Sequence, residues 1–306
     1  MNHPVARTWN TLRILQLNCL AHALRRESIE EYDQRMMLHY NHIIALQPTL
    51  IALQEVDGQF SLPNGTFNLP HRLVAGCSEV MPSPLGSLGS ISGQKEGGTS
   101  DETWLLYDMA ILSLRHHEIL RFRDASQFAL IAEFSLVSSD EIELLVVVQH
   151  AKAGRTDENE RKRIQHSKEL LQHFALEKRY QNLAQNGRLI WLGDFNAGPH
   201  SYGGRYPSEW YQEIIEPLRQ ANPFFTLESA LRFHFGSEPA FTTFKYRDGE
   251  LIEQTIDYIF YTPSGLEVVD AVRMPESNDM PSGGLPFERW GSDHLSLCVD
   301  LKVKYR

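Results

Sequence analysis

The chain has 306 residues, 42% hydrophobic and 22% charged, which suits one large α/β domain or two small ones with a sizeable core. Lys plus Arg number 29 against 39 Asp plus Glu, a net charge of −10 that disfavours non-specific grip on long nucleic acid, because phosphate contacts need a basic surface. No apolar run reaches transmembrane length, and the stretch 12–20 is broken by Arg13, Gln16 and Asn18, so neither a membrane span nor a secretory leader is expected. A cytoplasmic monomer built as a single domain over 1–306 is the resulting expectation.

Residues 12–17 alternate like a strand. Ser28 and Glu31 have capping-box spacing. Ile29, Tyr32, Met36, Tyr40, Ile43 and Ile44 follow at helical intervals, and Pro48 marks the stop. Residues 50–53 are a short apolar strand, and 81–100 is a loop rich in Pro, Gly and Ser. Strands are expected at 110–114, 129–136 and 142–148, the last apolar throughout as when both faces are buried. A helix with a basic face covers 158–180 and ends near Asn186-Gly187. Further strands are expected at 188–192, 241–246, 255–261, 268–273 and 295–303. Two more loops stand out: 198–207, with His200, Tyr202 and Tyr206, and 275–292, with Phe287 and Trp290. Many strands with few helices, and no regular alternation, point to two packed sheets with helices outside. Cys19, Cys77 and Cys298 have no metal-binding spacing, and buried free thiols in a reducing compartment are expected.

Polar clusters sit at the ends of the apolar runs: Leu17-Asn18-Cys19, Gln54-Glu55-Val56-Asp57, Gln149-His150-Ala151-Lys152 and Gly193-Asp194-Phe195-Asn196. Ser292-Asp293-His294 precedes the last strand, and Thr255-Ile256-Asp257 opens another. Each alone reads as solvated loop or turn chemistry. Together, Glu55, Asp194, Asp293, Asn18 and Asn196 supply hard oxygen ligands that select Mg²⁺, with Mn²⁺ as substitute, over Zn²⁺. Two histidines and a nearby Asp add donors and acceptors for phosphate, and rigid strand ends hold all of them.

In this order the clusters resemble the endonuclease/exonuclease/phosphatase superfamily: Leu17-Asn18, Gln54-Glu55, His150, Gly193-Asp194-Phe195-Asn196, Ile256-Asp257-Tyr258 and Ser292-Asp293-His294-Leu295. Within that superfamily the sequence resembles the branch containing nocturnin and the carbon catabolite repressor deadenylases. His150-Ala151-Lys152-Ala153 and the stretch from Ser237 through Lys245 to Asp257 carry that closer likeness. The resemblance implies a four-layer α/β sandwich, two packed mixed β-sheets flanked by helices, with the site at one sheet edge. It implies a divalent-metal-dependent phosphate-ester hydrolase. Glu55 would be the principal metal ligand, with Asn18 nearby and Asp293 completing the shell. Asp194 would orient or deprotonate the attacking water, and Asn196 would position water and phosphate. His150 and His294 would contact phosphate oxygens, with Asp257 orienting His294.

Lys152, Arg155, Lys245 and Arg247 are candidates for a local basic patch, and Lys152 lies on the same side of an extended chain as His150. In the nocturnin pattern, Lys152, Arg247 and Arg155 match groups that bind the phosphates of NADP(H), from which the 2′-phosphate is removed. NADP(H) 2′-phosphatase activity is therefore the leading expectation. A 3′-exoribonuclease acting on poly(A) RNA is the alternative, and a catalytically dead nucleotide- or RNA-binding module is the third reading. Two departures from the pattern are visible: Met109 stands where relatives carry Gly, and Arg155 falls one residue late.

Overall fold

A computed structural model describes residues 10–25, 27–57, 66–75, 85–95, 101–199, 208–221 and 225–304. Cys77, parts of the 81–100 loop, and His200, Tyr202 and Tyr206 lie outside them. The first strands are β1 (Thr11–Asn18), β2 (Leu50–Asp57), β3 (Leu88–Gln94), β4 (Asp101–Asp108), β5 (Leu112–Arg121), β6 (Phe128–Leu136) and β7 (Ser139–His150). They are followed by β8 (Leu189–Asp194), β9 (Glu228–Ser229), β10 (Thr243–Arg247), β11 (Glu250–Gln254), β12 (Asp257–Tyr261), β13 (Leu266–Ala271) and β14 (Leu297–Val303). The helices are α1 (Ile29–Leu46), α2 (Leu69–Ala75), α3 (Asp157–Leu176), α4 (Lys178–Gln185), α5 (Glu216–Ala221) and α6 (Ala230–Phe235).

Two six-stranded mixed sheets form, in the orders β13-β14-β1-β2-β4-β3 and β5-β6-β7-β8-β12-β9, with β10-β11 a separate hairpin. Alternation along each strand assigns the layers. Leu12 and Ile14 of β1, Leu50 and Ala52 of β2, and Val146 and Val148 of β7 meet between the sheets. Leu15, Leu17, Ile51 and Leu53 face outward onto Tyr32, Met36, Tyr40 and Ile43 of α1. On the far side, Val147, Trp191 and Phe260 pack on Leu170, Phe174 and Tyr180 of α3 and α4. The result is the expected four-layer sandwich: helix, sheet, sheet, helix.

The α1 capping box is formed as expected, with Ser28 Oγ accepting from the Glu31 amide at 3.2 Å and the Glu31 carboxylate accepting from the Ser28 amide at 2.7 Å. Ser28→Ala is expected to cost about 1 kcal/mol, measured as a lower urea midpoint with an unchanged m-value.

Several local expectations are corrected. The 81–100 stretch contains strand β3, whose glycines let large rings lie flat on it: a Cβ at Gly89 would sit 2.2 Å from the Tyr107 ring. Its partner β4 had no expected counterpart. Ala110 lies in a turn, its amide donating to Asp108 Oδ1, and the strand expected there runs instead from Leu112 to Arg121. The helix expected over 158–180 breaks after Leu176 and restarts at Lys178.

Strand polarity places the polar clusters. β1 and β2 are parallel, as are β7 and β8, so Asn18, Asp57, His150 and Asp194 end their strands at one edge. β12 runs antiparallel to β8 and starts there, with Asp257 opposite Asp194. β14 runs antiparallel to β1, so the Asp293-His294 loop arrives at the same edge. Cys19 and Cys298 are buried free thiols, as expected. Among the described residues, no helix is long and apolar enough to cross a membrane.

Candidate active site

Glu55 reaches the edge because β2 bulges. Ile51 and Leu53 face outward and Gln54 inward, so regular alternation would aim position 55 outward at α1. A register shift between Leu53 and Val56 against β4, with Glu55 at φ +51°, turns Glu55 out of the alternation and gives the outward place to Val56. Gly193 solves the matching problem on β8. It sits at φ +144°, and a Cβ there would lie 1.8 Å from the Gln149 carbonyl oxygen, so only glycine lets β8 approach β7 closely enough to seat Asp194 beside His150.

The side chains converge on Asp194, which is fully buried. Its Oδ2 accepts from Asn18 Nδ2 at 3.0 Å and lies 3.8 Å from His150 Nε2 and 3.9 Å from His294 Nε2. Its Oδ1 accepts from the Asn196 amide at 2.8 Å. Glu55 Oε1 is 3.6 Å from His150 Nε2. The Asn196 side chain is fixed by donating to the Ala151 carbonyl at 3.2 Å. Asn18 Oδ1 accepts from the Leu20 amide at 3.0 Å, which leaves that oxygen one lone pair.

His294 is paired from behind. Its Nδ1 lies 2.9 Å from Asp257 Oδ2, so with that nitrogen protonated Nε2 is the atom turned toward Asp194. Burial opposes the charged ring, but Asp257, Asp293 and Asp194 outweigh it and push the His294 pKa up to about 10. Burial pushes Asp257 upward and the His294 charge opposes it. Three donors aim at the Asp257 oxygens and favour its charged form against that burial: His294 Nδ1, Thr242 Oγ1 at 2.6 Å and Gln16 Nε2 at 2.9 Å. Such a His294 is a donor to phosphate, not a base.

Asp293 lies one step away, its Oδ1 3.9 Å from His294 Nε2 and its Oδ2 accepting from Lys245 Nζ at 2.8 Å. Burial pushes the Asp293 carboxyl up, but His294 and Lys245 outweigh it and hold it below the usual carboxylate range. The other basic candidates differ. Lys152 is half-buried in a loop whose Lys152 and Gly154 carbonyls accept from Arg163 Nη1 at 2.7 and 2.9 Å. Arg163 is thus a buried brace bonded to Glu160, not part of a surface patch. Arg155 is exposed on that loop, and Arg247 is exposed near the hairpin tip, 3.8 Å from Asp248.

Three residues that hold this site did not stand out in the sequence. Gln16 on β1 bonds both Gln54 and Asp257 and so crosses from one sheet to the other. Thr242 bonds Asp257. Arg35 of α1 donates to the carbonyls of Cys19, Leu20 and Gly291, tying the loop after Asn18 to the loop before Asp293. A Gln inside a fully buried strand is the one sequence signal that could have flagged any of them.

The model of the Endonuclease/Exonuclease/phosphatase family matches residues 8–294. The chain belongs to this family. Mouse Nocturnin is 27% identical over 301 residues, which cover 94% of this chain and 65% of that relative, so the chain spans just under two thirds of its length. The human Nocturnin catalytic domain with bound sulfate superposes at a TM-score of 0.67 and 26% identity, covering 96% of this chain and 95% of that one. ANGEL2, a 2′,3′-cyclic phosphatase, in complex with adenosine-2′,3′-vanadate, shares the fold at a TM-score of 0.66 and 18% identity over 96% of both chains.

The family is generally dependent on a divalent metal, and the donor set fits one. One oxygen each from Glu55 and Asp194 and one His150 nitrogen lie within 4.8 Å of one another. Two carboxylates facing a single imidazole place excess negative charge at the edge, which a hard dication neutralises.

Proposed function

We propose that this enzyme removes a phosphate from a small nucleotide, with the 2′-phosphate of NADP(H) as substrate and Mg²⁺ as metal. The observation that carries the chemistry is the convergence of both His Nε2 atoms on Asp194 Oδ2, at 3.8 and 3.9 Å, with Glu55 beside them. Glu55 would hold the metal, with Asn18 Oδ1 and Asp293 as candidates to complete the shell, and when bound it supplies charge neutralisation on the phosphate oxygens.

The chain's own groups supply the rest. Asp194 Oδ2 accepts one bond from Asn18 and has both His Nε2 atoms within 4 Å, so it is the oxygen that would orient a water and take its proton. His294 donates from Nε2 to a phosphate oxygen as an imidazolium and stabilises charge developing there. His150 Nε2, 3.6 Å from Glu55 and 3.8 Å from Asp194, would contact the phosphate beside them. Lys152, two residues past His150 on the braced loop, would hold a second phosphate of a dinucleotide.

A small substrate suits a chain of net charge −10. One observation favours the second reading, a poly(A)-specific 3′-exoribonuclease using the same site. Lys245 and Arg247 lie two residues apart on one face of β10, a line of cations leading from Asp293 that would suit a longer backbone. The test is incubation with Mg²⁺ and either NADP⁺ or a fluorescent poly(A) oligomer. Phosphate release from NADP⁺ with an intact oligomer is expected. Oligomer shortening without phosphate release overturns the dinucleotide reading, and binding of either without turnover overturns hydrolysis altogether.

A further inference from the structure

The segment from Thr242 to Lys245 touches both halves of the histidine loop. Thr243 Oγ1 and the Phe244 amide both donate to the Asp293 carbonyl, at 2.9 and 3.0 Å. The Leu295 amide donates to the Thr242 carbonyl at 2.7 Å, and Lys245 Nζ holds the Asp293 carboxylate at 2.8 Å. Asp293-His294-Leu295 is thereby pinned to one short strand.

Thr242 itself is fully buried, and its hydroxyl has no choice of direction. A hydroxyl has one proton and two lone pairs. The Ile256 and Asp257 amides both donate to Thr242 Oγ1 at 3.0 Å and take up the lone pairs. Two acceptors then compete for the proton: Asp257 Oδ2 at 2.6 Å and the Gln254 carbonyl at 3.5 Å. The shorter, charge-assisted bond prevails. The same Asp257 Oδ2 receives His294 Nδ1. Gln16 Nε2, from the other sheet, holds Oδ1.

The geometry points to Thr242 as a positioning residue for hydrolysis: its hydroxyl locks the Asp257 carboxylate, which aims His294 Nε2 at the reacting phosphate. It acts only through Asp257 and touches no reacting atom. This rests on the hydrolase reading for its kinetic consequence alone, and its structural consequence can be read without turnover.

The experiment compares Thr242→Val, Thr242→Ser and Asp257→Asn in the full chain, below the melting temperature of each. The first readout is the downfield imidazole N–H proton resonance of His294 in the NMR spectrum, assigned by its loss in His294→Ala. The second is the split between kcat and KM for phosphate release from NADP⁺ with Mg²⁺. Thr242→Val is expected to broaden or lose the resonance and to lower kcat roughly 10- to 100-fold with KM within about twofold, a share of a positioned proton donor's effect. Thr242→Ser is expected to restore the resonance and most of kcat. In the Asp257→Asn background the Val substitution should add little, because both changes break one unit. An unchanged resonance in folded Thr242→Val overturns the inference, as does a kcat loss that persists undiminished beside Asp257→Asn. Loss of the resonance in a protein inactive toward NADP⁺ keeps the positioning role and removes the proposed substrate instead.

Discussion

Replacement of His294 by Ala is expected to lower kcat for phosphate release by roughly 10²- to 10⁴-fold, the usual effect of removing a positioned proton donor. The chain should still fold. Asp257 loses its imidazolium partner but keeps Thr242 and Gln16, and burial that already raises its pKa favours the neutral acid. Circular dichroism should show a cooperative melt, shifted down yet above assay temperature. Glu55→Gln is expected to abolish activity for a different reason. It removes one of two carboxylates that face His150, so Mg²⁺ binding heat should vanish in calorimetry. In EDTA this variant should melt no lower than the parent, because like-charge repulsion at the edge is relieved. Near-parental turnover in either variant with metal present would falsify the assignment of the site.

The largest effect on stability is expected at Arg35. The Arg35 side chain is 8% exposed, and it donates to Glu27 at 2.8 and 2.5 Å as well as to three carbonyls. Arg35→Ala would leave the Glu27 carboxylate, whose side chain is 3% exposed, with only the longer contacts to Arg25 Nε at 3.4 Å and His22 Nδ1 at 3.6 Å, and would take a donor from each of those carbonyls. Removing one partner of a buried pair costs about 3–5 kcal/mol, well above the zero to 1 kcal/mol of a surface pair. Denaturant unfolding measures this directly, and a change below about 1 kcal/mol would refute the brace. Activity should fall more steeply with temperature than in the parent, since Arg35 joins the loops carrying Asn18 and Asp293.

How much of this was legible in the sequence depends on how local each signal is. Asn18, Glu55, His150, Asp194, Asp257 and His294 each close or open an apolar run, and a rigid sheet gives such ends only one place to go. The layered fold was legible because strands buried on both faces, such as Val146–Val148 within β7, are apolar at every position. β3 was not legible, because Gly89 and Gly93 lie against the Tyr107 and Phe128 rings, and that partnership has no local signature. Thr242 and Gln16 were missed for the same reason. Gln16 meets Asp257 across 241 residues of sequence, and no spacing rule reaches that far. The basic face expected on the helix over 158–180 is reduced by Arg163, which is buried and donates to carbonyls in the loop before its own helix.

The order β13-β14-β1 has a further consequence for how this protein is made. β1 is made well before its antiparallel neighbour β14, with which it pairs so that Leu12 stands opposite Leu301. At about 5–20 residues per second, β1 waits roughly 15–60 s on the ribosome for that neighbour. Throughout that interval one side of an apolar strand is an open template for any extended chain nearby. The nascent protein should therefore depend on chaperone cover more than its finished form suggests, and slowing translation should lower its soluble yield.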